Sequence, residues 1–194
     1  MRKKIAIAGT VLLLSTANVV NTTLDIVSAA SSKTLSYTMV KQDKTNWCWA
    51  ASAENSVRGT YKYHLGSTPS RDQWDAVEYI KGSYVNSGGT IIEIKIAADH
   101  ISNNKYRWSS AGSTKTFDFL KGRIANYVTP VIAGYYSSGG GHAMTCVGYK
   151  IDSSNTEYIK IYDPWDGTKT YTKYTSYCNG TGYKSLTYSA TCWK

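Results

Sequence analysis

The sequence predicts an α+β fold in which helices occupy the first half of the mature chain and an antiparallel sheet the second. Helix start signals recur between residues 48 and 127. After Pro130, short segments rich in Tyr, Val, Ile and Thr alternate with Gly-, Ser- and Asn-containing turns, which is the pattern of antiparallel strands. No internal repeat interrupts this order. A cleft between the two halves is the expected place for a functional site.

Four helices are expected before Pro130, and each has a local start signal. A run of small residues follows Cys48, Ser70 and Gln73 form a capping-box pattern, and Thr90 and Glu93 form a second one. A glycine ends each of the first two helices, at 59 and 82. The expected spans are 48–58, 71–81, 91–101 and 116–127.

The strands are expected on both sides of these helices. A polar lead-in, residues 31–41, contains a short strand with alternating apolar positions. The main sheet follows Pro130, where Gly-, Ser- and Asp-rich turns divide the β-branched and aromatic segments. The expected spans are 131–136, 142–150, 158–162 and 168–174.

The first thirty residues have the composition of an export signal. Arg2, Lys3 and Lys4 precede an apolar run, and small residues end the segment at Ala30. We expect residues 1–30 to be a cleaved signal peptide, which makes the protein secreted; a retained N-terminal anchor is the alternative. Residues 31–194 then form one domain, expected to be a monomer.

Charge and ligand spacing limit the partners and cofactors. The formal net charge is +9 at pH 7, but the lysines of the mature part are scattered. This charge is compatible with adhesion to an anionic cell wall or membrane surface, although a merely soluble basic surface is the favoured alternative; nucleic-acid binding is not expected. The three histidines and four cysteines show no metal-ligand spacing, and no phosphate-binding loop is present, so neither a metal nor a cofactor is expected.

The four cysteines have different expected states. Cys178 and Cys192 lie close enough in sequence for a disulfide, although both being free is an equal alternative. Cys146 lies in an apolar run and is expected to be buried. Cys48 is left unpaired, and an unpaired cysteine in an exported protein indicates a reactive thiol.

Four residues in chain order supply the parts of a cysteine-nucleophile site. The thiol of Cys48 attacks, the imidazole of His142 takes its proton, and the carboxylate of Asp163 orients the imidazole. The amide of Gln42, together with the Cys48 backbone N–H, donates to the developing oxyanion. The first turn of a helix and a nearby imidazolium both favour a thiolate at Cys48.

Flanking residues favour these choices over their rivals. His142 follows a glycine run ending at Gly141, which lets substrate approach closely, whereas His64 and His100 lack such an approach. Asp152 and Asp166 are the rival carboxylates but lie in turn-like stretches. Three tryptophans are expected to line or shield the cleft: Trp47, Trp49 and Trp165.

These motifs resemble the papain-like cysteine peptidases. Gln42, five intervening residues and Cys48-Trp49 come first, then Gly141-His142, then Asp163-Pro-Trp165. The resemblance is greatest to a short secreted bacterial branch that includes a plant-pathogen effector protease. The resemblance spans roughly residues 39–170 and implies that domain 31–194 has a papain-like fold. It also implies Cys48 as nucleophile, His142 as base and acid, Asp163 as orienting residue and Gln42 as oxyanion donor.

Two departures from larger papains are visible, and they bear on activation and on the substrate pocket. Asp163 stands where plant and animal papains usually have Asn, and a long pro-region and several disulfides are missing. The resulting expectation is a secreted endopeptidase acting on protein or peptide substrates through an acyl-enzyme. The alternatives are a peptidoglycan amidase or endopeptidase with the same Cys-His machinery, and a non-catalytic binding or toxin module.

Overall fold

A computed structural model describes residues 30–109, 114–136, 140–178 and 183–193, with the backbone alone for 135–136, 177–178 and 183–193. The signal-peptide segment 1–29 lies outside the described residues. Helices precede most of the strands, and every strand pairing is antiparallel. The α+β prediction is therefore confirmed.

The described part contains five helices and seven strands. The helices are α1 Cys48–Leu65, α2 Gln73–Lys81, α3 Ile91–Ile101, α4 Phe117–Ala125 and α5 Tyr174–Cys178. The strands are β1 Ser31–Thr34, β2 Arg107–Ser109, β3 Val131–Tyr136, β4 Gly141–Ile151, β5 Glu157–Tyr162, β6 Lys169–Lys173 and β7 Tyr183–Trp193.

Helix α1 begins where the sequence predicts but continues beyond Gly59, so the predicted end is wrong. A Cβ atom at Gly59 would lie 2.6 Å from Thr129 Oγ1 and 2.9 Å from Tyr37 Cζ. Glycine is therefore present to let the helix pack closely against its neighbours, at a cost in intrinsic helix propensity. The helix ends at Gly66, whose φ of 64° is the left-handed conformation typical of a helix C-terminus.

The start signal of α2 also differs from the prediction. The capping box consists of Asp72 and Asp75, because the Asp72 side chain accepts from the Asp75 backbone N–H and Asp75 reciprocates. The predicted capping role of Gln73 is therefore wrong. Its buried carboxamide instead contacts the loop before α1, with consequences for the site.

The sheet curls into a half-barrel that packs against the helices. Its strand order is β2-β7-β3-β4-β5-β6, and β1 pairs with the C-terminal part of β4, from Gly148 to Ile151. Strand β4 is thus central, with β3 and β5 on its two sides. His142 lies near its start and pairs with Gly134 of β3.

Two apolar clusters form the core. One surrounds α1 and includes Trp47, Trp49 and Ala50, all at most 1 % exposed. The other lies between α4 and the sheet and includes Leu120 and Ile159. Since α1 is buried along most of its length, Cys48 starts from a rigid position. Among the described residues, no helix has the length and apolar character to cross a membrane.

Candidate active site

Cys48 is the first residue of α1 and is partly exposed. Its preceding residue, Trp47, makes no side-chain cap, and the first turn of α1 contains no acidic residue. By contrast, Asp72, Thr90 and Thr116 cap α2, α3 and α4, each followed by a first-turn carboxylate. The N–H groups at the start of α1 are therefore left to stabilise negative charge at the thiol or on a bound group.

His142 lies between Cys48 and Asp163: its ring hydrogen-bonds to Asp163, and the Cys48 thiol is near enough to raise the pKa of the imidazole. Its Nε2 is 2.7 Å from Asp163 Oδ1, which leaves Nδ1 for the thiol. His142 is 8 % exposed, whereas the Asp163 side chain is 29 % exposed. The structure thus brings together three of the residues that the sequence singles out, in the order thiol, imidazole, carboxylate.

The surroundings favour the imidazolium form of His142. Burial lowers its pKa, but hydrogen bonding of the ring to Asp163 and Cys48, with the charges of both groups, outweighs burial and raises the pKa from 6.5 to about 9. A positive charge next to a thiol at a helix N-terminus stabilises the thiolate. The geometry therefore suits a thiolate–imidazolium pair.

Asp163 is fixed by the turn that follows it. Its Oδ1 also accepts from the Trp165 backbone N–H at 2.9 Å, and its backbone N–H donates to Thr168. The Trp165 side chain lines the cleft but is 58 % exposed, so it lies at the rim beside the His142–Asp163 pair. Trp165 helps to orient His142 through its backbone N–H, which binds the Asp163 carboxylate.

The other two predicted tryptophans are buried beside Cys48. Trp47 donates its indole N–H to the Val85 carbonyl, and Trp49 donates to the Ser87 carbonyl. A Cβ atom at Gly89 would lie 2.3 Å from the Trp49 ring, so only glycine fits there. Trp49 therefore holds the 87–89 segment along one wall of the cleft.

The cleft has a volume of about 720 Å³ and contains the candidate site. One wall comes from the helical half, through Trp49, Gly89 and the start of α3, and the other from the sheet. Gly141 lies on the sheet wall immediately before His142, as the sequence predicts. Apolar side chains from both halves form part of the lining: Ile91, Ile94, Ala133 and Ala143.

Gln42 occupies the loop before α1, but its side chain is directed into that loop. Its amide nitrogen donates to the carbonyls of Lys44 (2.9 Å) and Thr45 (2.8 Å), and Gln42 is not among the described residues that line the cleft. Its backbone N–H donates to Pro164 O at 2.9 Å, which ties the loop to the turn after Asp163. Donation to an oxyanion requires exchange of one loop hydrogen bond.

Gln73 is a residue that sequence reasoning missed. It is 3 % exposed; its amide donates to Lys41 O at 2.8 Å, and its oxygen accepts from Asp43 N at 3.0 Å. It therefore binds the backbone on both sides of Gln42. The Gln73 backbone N–H in turn donates to the buried carboxylate of Glu54, which anchors it to α1. The sequence predicts Gln73 to be part of a capping box, and nothing in the sequence indicates that its side chain binds the backbone of Lys41 and Asp43.

Two asparagines hold the ends of the same loop. Asn55, on α1, exchanges two hydrogen bonds of 2.9 Å with the Val40 backbone. Asn86 accepts from the Asn46 backbone N–H at 2.9 Å and donates to the Thr45 hydroxyl. The loop is therefore fixed by side chains from α1, from α2 and from the segment before α3.

Gln73→Leu is expected to lower kcat by roughly 10-fold with little change in KM, because a small displacement of the loop misplaces catalytic groups more than it weakens substrate binding. Thermal unfolding should report a loss of about 1–3 kcal/mol from the unsatisfied backbone groups. Steady-state kinetics on the purified protein measures both constants. Glu78→Gln, an exposed change on the same helix, is the matched control. A destabilised variant with unchanged kcat would leave Gln73 with a structural role alone.

The remaining predicted residues concern disulfides and metals. The side chains of Cys178 and Cys192 lie outside the described residues, so the bridge stays a prediction. Cys146 is fully buried, as expected, and burial raises the pKa of its thiol to about 12. Within the described ranges, no group of His, Cys, Asp and Glu side chains has the arrangement of a metal site.

Comparison with known proteins identifies the family. A profile described as the Peptidase_C39 like family matches residues 34–191. No curated protein matches the chain. Solved structures with a similar fold include a Carica candamarcensis cysteine protease in complex with E-64 (TM-score 0.59, 18% identity, covering 84% of this chain and 96% of that one). Another is a recombinant stem bromelain precursor (TM-score 0.56, 18% identity, covering 81% of this chain and 70% of that one). The chain has a papain-like fold and belongs to the Peptidase_C39 like family, as a cysteine peptidase.

Proposed function

We propose that the protein is an exported cysteine endopeptidase of the short bacterial branch, and that Cys48, His142 and Asp163 carry out its chemistry. The observation that supports this most strongly is the grouping of the Cys48 thiol, the His142 imidazole and its hydrogen-bonded Asp163 carboxylate inside one cleft of about 720 Å³. The basic n-region, the apolar run and the small residues of the N-terminal segment support export.

In the proposed mechanism, the Cys48 thiolate attacks the scissile carbonyl while the imidazolium of His142 faces the leaving nitrogen. The tetrahedral oxyanion lies at the start of α1, where the Cys48 N–H donates to it, and the Gln42 amide is the second donor after exchanging a loop carbonyl. His142 then protonates the leaving amine, which leaves a thioester on Cys48. Water activated by His142 hydrolyses the thioester and regenerates the thiol.

Asp163 acts throughout on the imidazole. Its Oδ1 accepts the Nε2 proton of His142 at 2.7 Å, which fixes the ring with Nδ1 towards the thiol. Its charge stabilises the imidazolium that exists before attack and between the proton transfers. The Trp165 N–H holds the same carboxylate oxygen in place.

The substrate class is tested by comparing two substrates under the same reducing conditions. We expect the mature protein to degrade unfolded casein, followed by gel electrophoresis, and to leave the turbidity of a peptidoglycan suspension unchanged. Cys48→Ala, assayed in parallel, controls for contaminating hydrolases. Turbidity loss without casein cleavage would assign the site to wall hydrolysis. Neither activity, from folded and reduced protein, would favour a non-catalytic module.

A further inference from the structure

The outer face of strands β4, β5 and β6 carries a second feature of the molecule. Residues that pair directly across these strands share a face, and here Lys150, Tyr158 and Lys173 form one row while Lys160 and Tyr171 form the next. Lys169 continues the same face along β6. We call this set the lysine–tyrosine face; its members are Lys150, Lys160, Lys169, Lys173, Tyr158 and Tyr171.

The opposite side of β5 faces the core. Ile159 and Ile161 alternate with Tyr158 and Lys160 and belong to the buried cluster under α4. The lysine–tyrosine face therefore points away from this cluster: Lys169, Tyr171 and Lys173 on β6 are exposed, and Lys150, Tyr158 and Lys160 are half-buried. Tyr162, further along the same side of β5, is buried and marks the end of the face. A sheet edge made of lysines also resists pairing with other strands, but that role does not need lysines on the neighbouring strands β4 and β5.

Two of the four ammonium groups, those of Lys150 and Lys160, lie over the tyrosine rings of this face. Lys150 Nζ lies 4.4 Å from the ring centre of Tyr158 and 5.3 Å from that of Tyr171, and Lys160 Nζ lies 5.0 Å from that of Tyr171. Such cation–π contacts position a cation without neutralising its charge. Within the described residues, none of the four lysines has a carboxylate oxygen within 4.0 Å.

Negative charge is confined to the margin of this face. Asp152 lies in the turn between β4 and β5, where backbone N–H groups bind its carboxylate and Tyr158 and Lys150 are nearby. Four lysines against one marginal carboxylate leave a positive surface. The net charge of the mature chain, +7 once the three basic and one acidic residue of segment 1–30 are removed from +9, adds to it at long range.

The shape of the face selects an extended ligand. Lys169 and Lys173 are four residues apart on one strand, roughly 13 Å, and the three strands span roughly 10 Å. The lysines project from an open sheet surface, so a small anion would meet separate, solvated charges. A flexible chain with a negative charge every few ångströms can contact several of them together, and its affinity comes from the sum of these contacts.

The side-chain chemistry restricts the polymer further. The lysine–tyrosine face contains no arginine, whose planar fork favours bidentate recognition, and lysines act as point charges towards phosphate. The rings of Tyr158 and Tyr171 each have an ammonium over them, so they are poor platforms for stacking nucleobases. We propose that the lysine–tyrosine face binds a linear phosphodiester polymer without bases, for which poly(glycerol phosphate) is the simplest probe.

The test measures binding of fluorescently labelled poly(glycerol phosphate) to the mature chain by anisotropy at several salt concentrations. The test variant carries Lys160→Gln, Lys169→Gln and Lys173→Gln. The matched control carries Lys62→Gln, Lys105→Gln and Lys121→Gln, which removes the same charge elsewhere. We expect the test variant to lose at least about 10-fold in affinity and the control variant less than about 2-fold. The slope of log K against log salt should fall by about 2 in magnitude, as for three lost phosphate contacts.

Other outcomes would overturn the proposal. Equal losses in both triple variants would show that net charge, and not this face, is responsible. Tighter binding of single-stranded DNA of equal charge would assign the surface to nucleic acid, and tighter binding of phosphatidylglycerol vesicles would assign it to membranes. No binding of the wild-type chain at low salt would reject the site. Peptidase activity of both variants, measured on the same samples, reports that they are folded.

Discussion

Replacing Cys48 with alanine is expected to lower peptidase turnover by roughly 10,000-fold or more, because loss of a nucleophile removes the covalent route altogether. The fold should survive, since Cys48 is partly exposed and alanine suits the start of a helix. The measurement is twofold: kcat/KM on a fluorogenic peptide, and the mass of the protein after incubation with the epoxide E-64. Wild-type protein should gain one adduct, and Cys48→Ala none.

Cys146→Ala is the matched control for the thiol. This second cysteine is fully buried in the sheet core, and burial raises the pKa of its thiol to about 12, so it should neither react nor contribute to turnover. Activity that persists in Cys48→Ala would refute the assignment of the nucleophile. An E-64 adduct that persists there, but is lost in Cys146→Ala, would place the reactive thiol outside the cleft.

The helical half of the fold was predictable because its signals are local. Thr90 and Glu93 cap α3 as a capping box, and Cys48 starts α1, both as the sequence indicates. The error at the end of α1 comes from tertiary packing, whereas the error at the start of α2 is a choice between two adjacent local capping patterns. From the sequence, Gly59 predicts a helix end. In the structure it is a helical position at which Thr129 and Tyr37 pack against the Cα atom. Local propensity cannot report a contact made seventy positions away along the chain.

The candidate site was predictable to the extent that chemistry restricts residue types. A cysteine at a helix start, a histidine after glycines and a strand-ending aspartate form a recognisable set, and the structure brings their side chains together. The pair of hydrogen bonds that Gln73 makes to the backbone on both sides of Gln42 was not predictable. A glutamine has too many ordinary surroundings for its sequence position to indicate a buried pair of backbone contacts.

Asp163→Asn is expected to shift the alkaline limit of activity to lower pH while leaving the geometry of His142 in place. The asparagine oxygen can still accept from His142 Nε2 and from the Trp165 N–H, but the negative charge is lost. Burial, which lowers the pKa of His142, is then opposed mainly by Cys48. The pKa of His142 should therefore fall from about 9 towards its ordinary value of 6.5.

The sign follows from which form of His142 is needed. The imidazolium stabilises the thiolate and protonates the leaving amine, so activity disappears as pH rises through the His142 pKa. A fall of one unit in the His142 pKa, from about 9, should lower kcat/KM of Asp163→Asn at pH 8.5 about 4-fold relative to its value at pH 6, against about 1.3-fold for the wild-type protein. Folding stability should also decrease as the pH rises. The raised pKa of His142 contributes stability that is complete below about pH 6.5 and is lost as the pH rises towards about 9.

Two further variants separate charge from orientation. Asp166→Asn removes a neighbouring carboxylate that does not bind His142 and should leave the pH profile unchanged. Asp163→Ala removes both the charge and the acceptor, so kcat/KM should fall at every pH as well as shift. An Asp163→Asn profile that coincides with the wild-type profile would contradict the electrostatic role of Asp163. Since larger papains usually have asparagine at this position, the same result would make the carboxylate and the amide equivalent in this cleft.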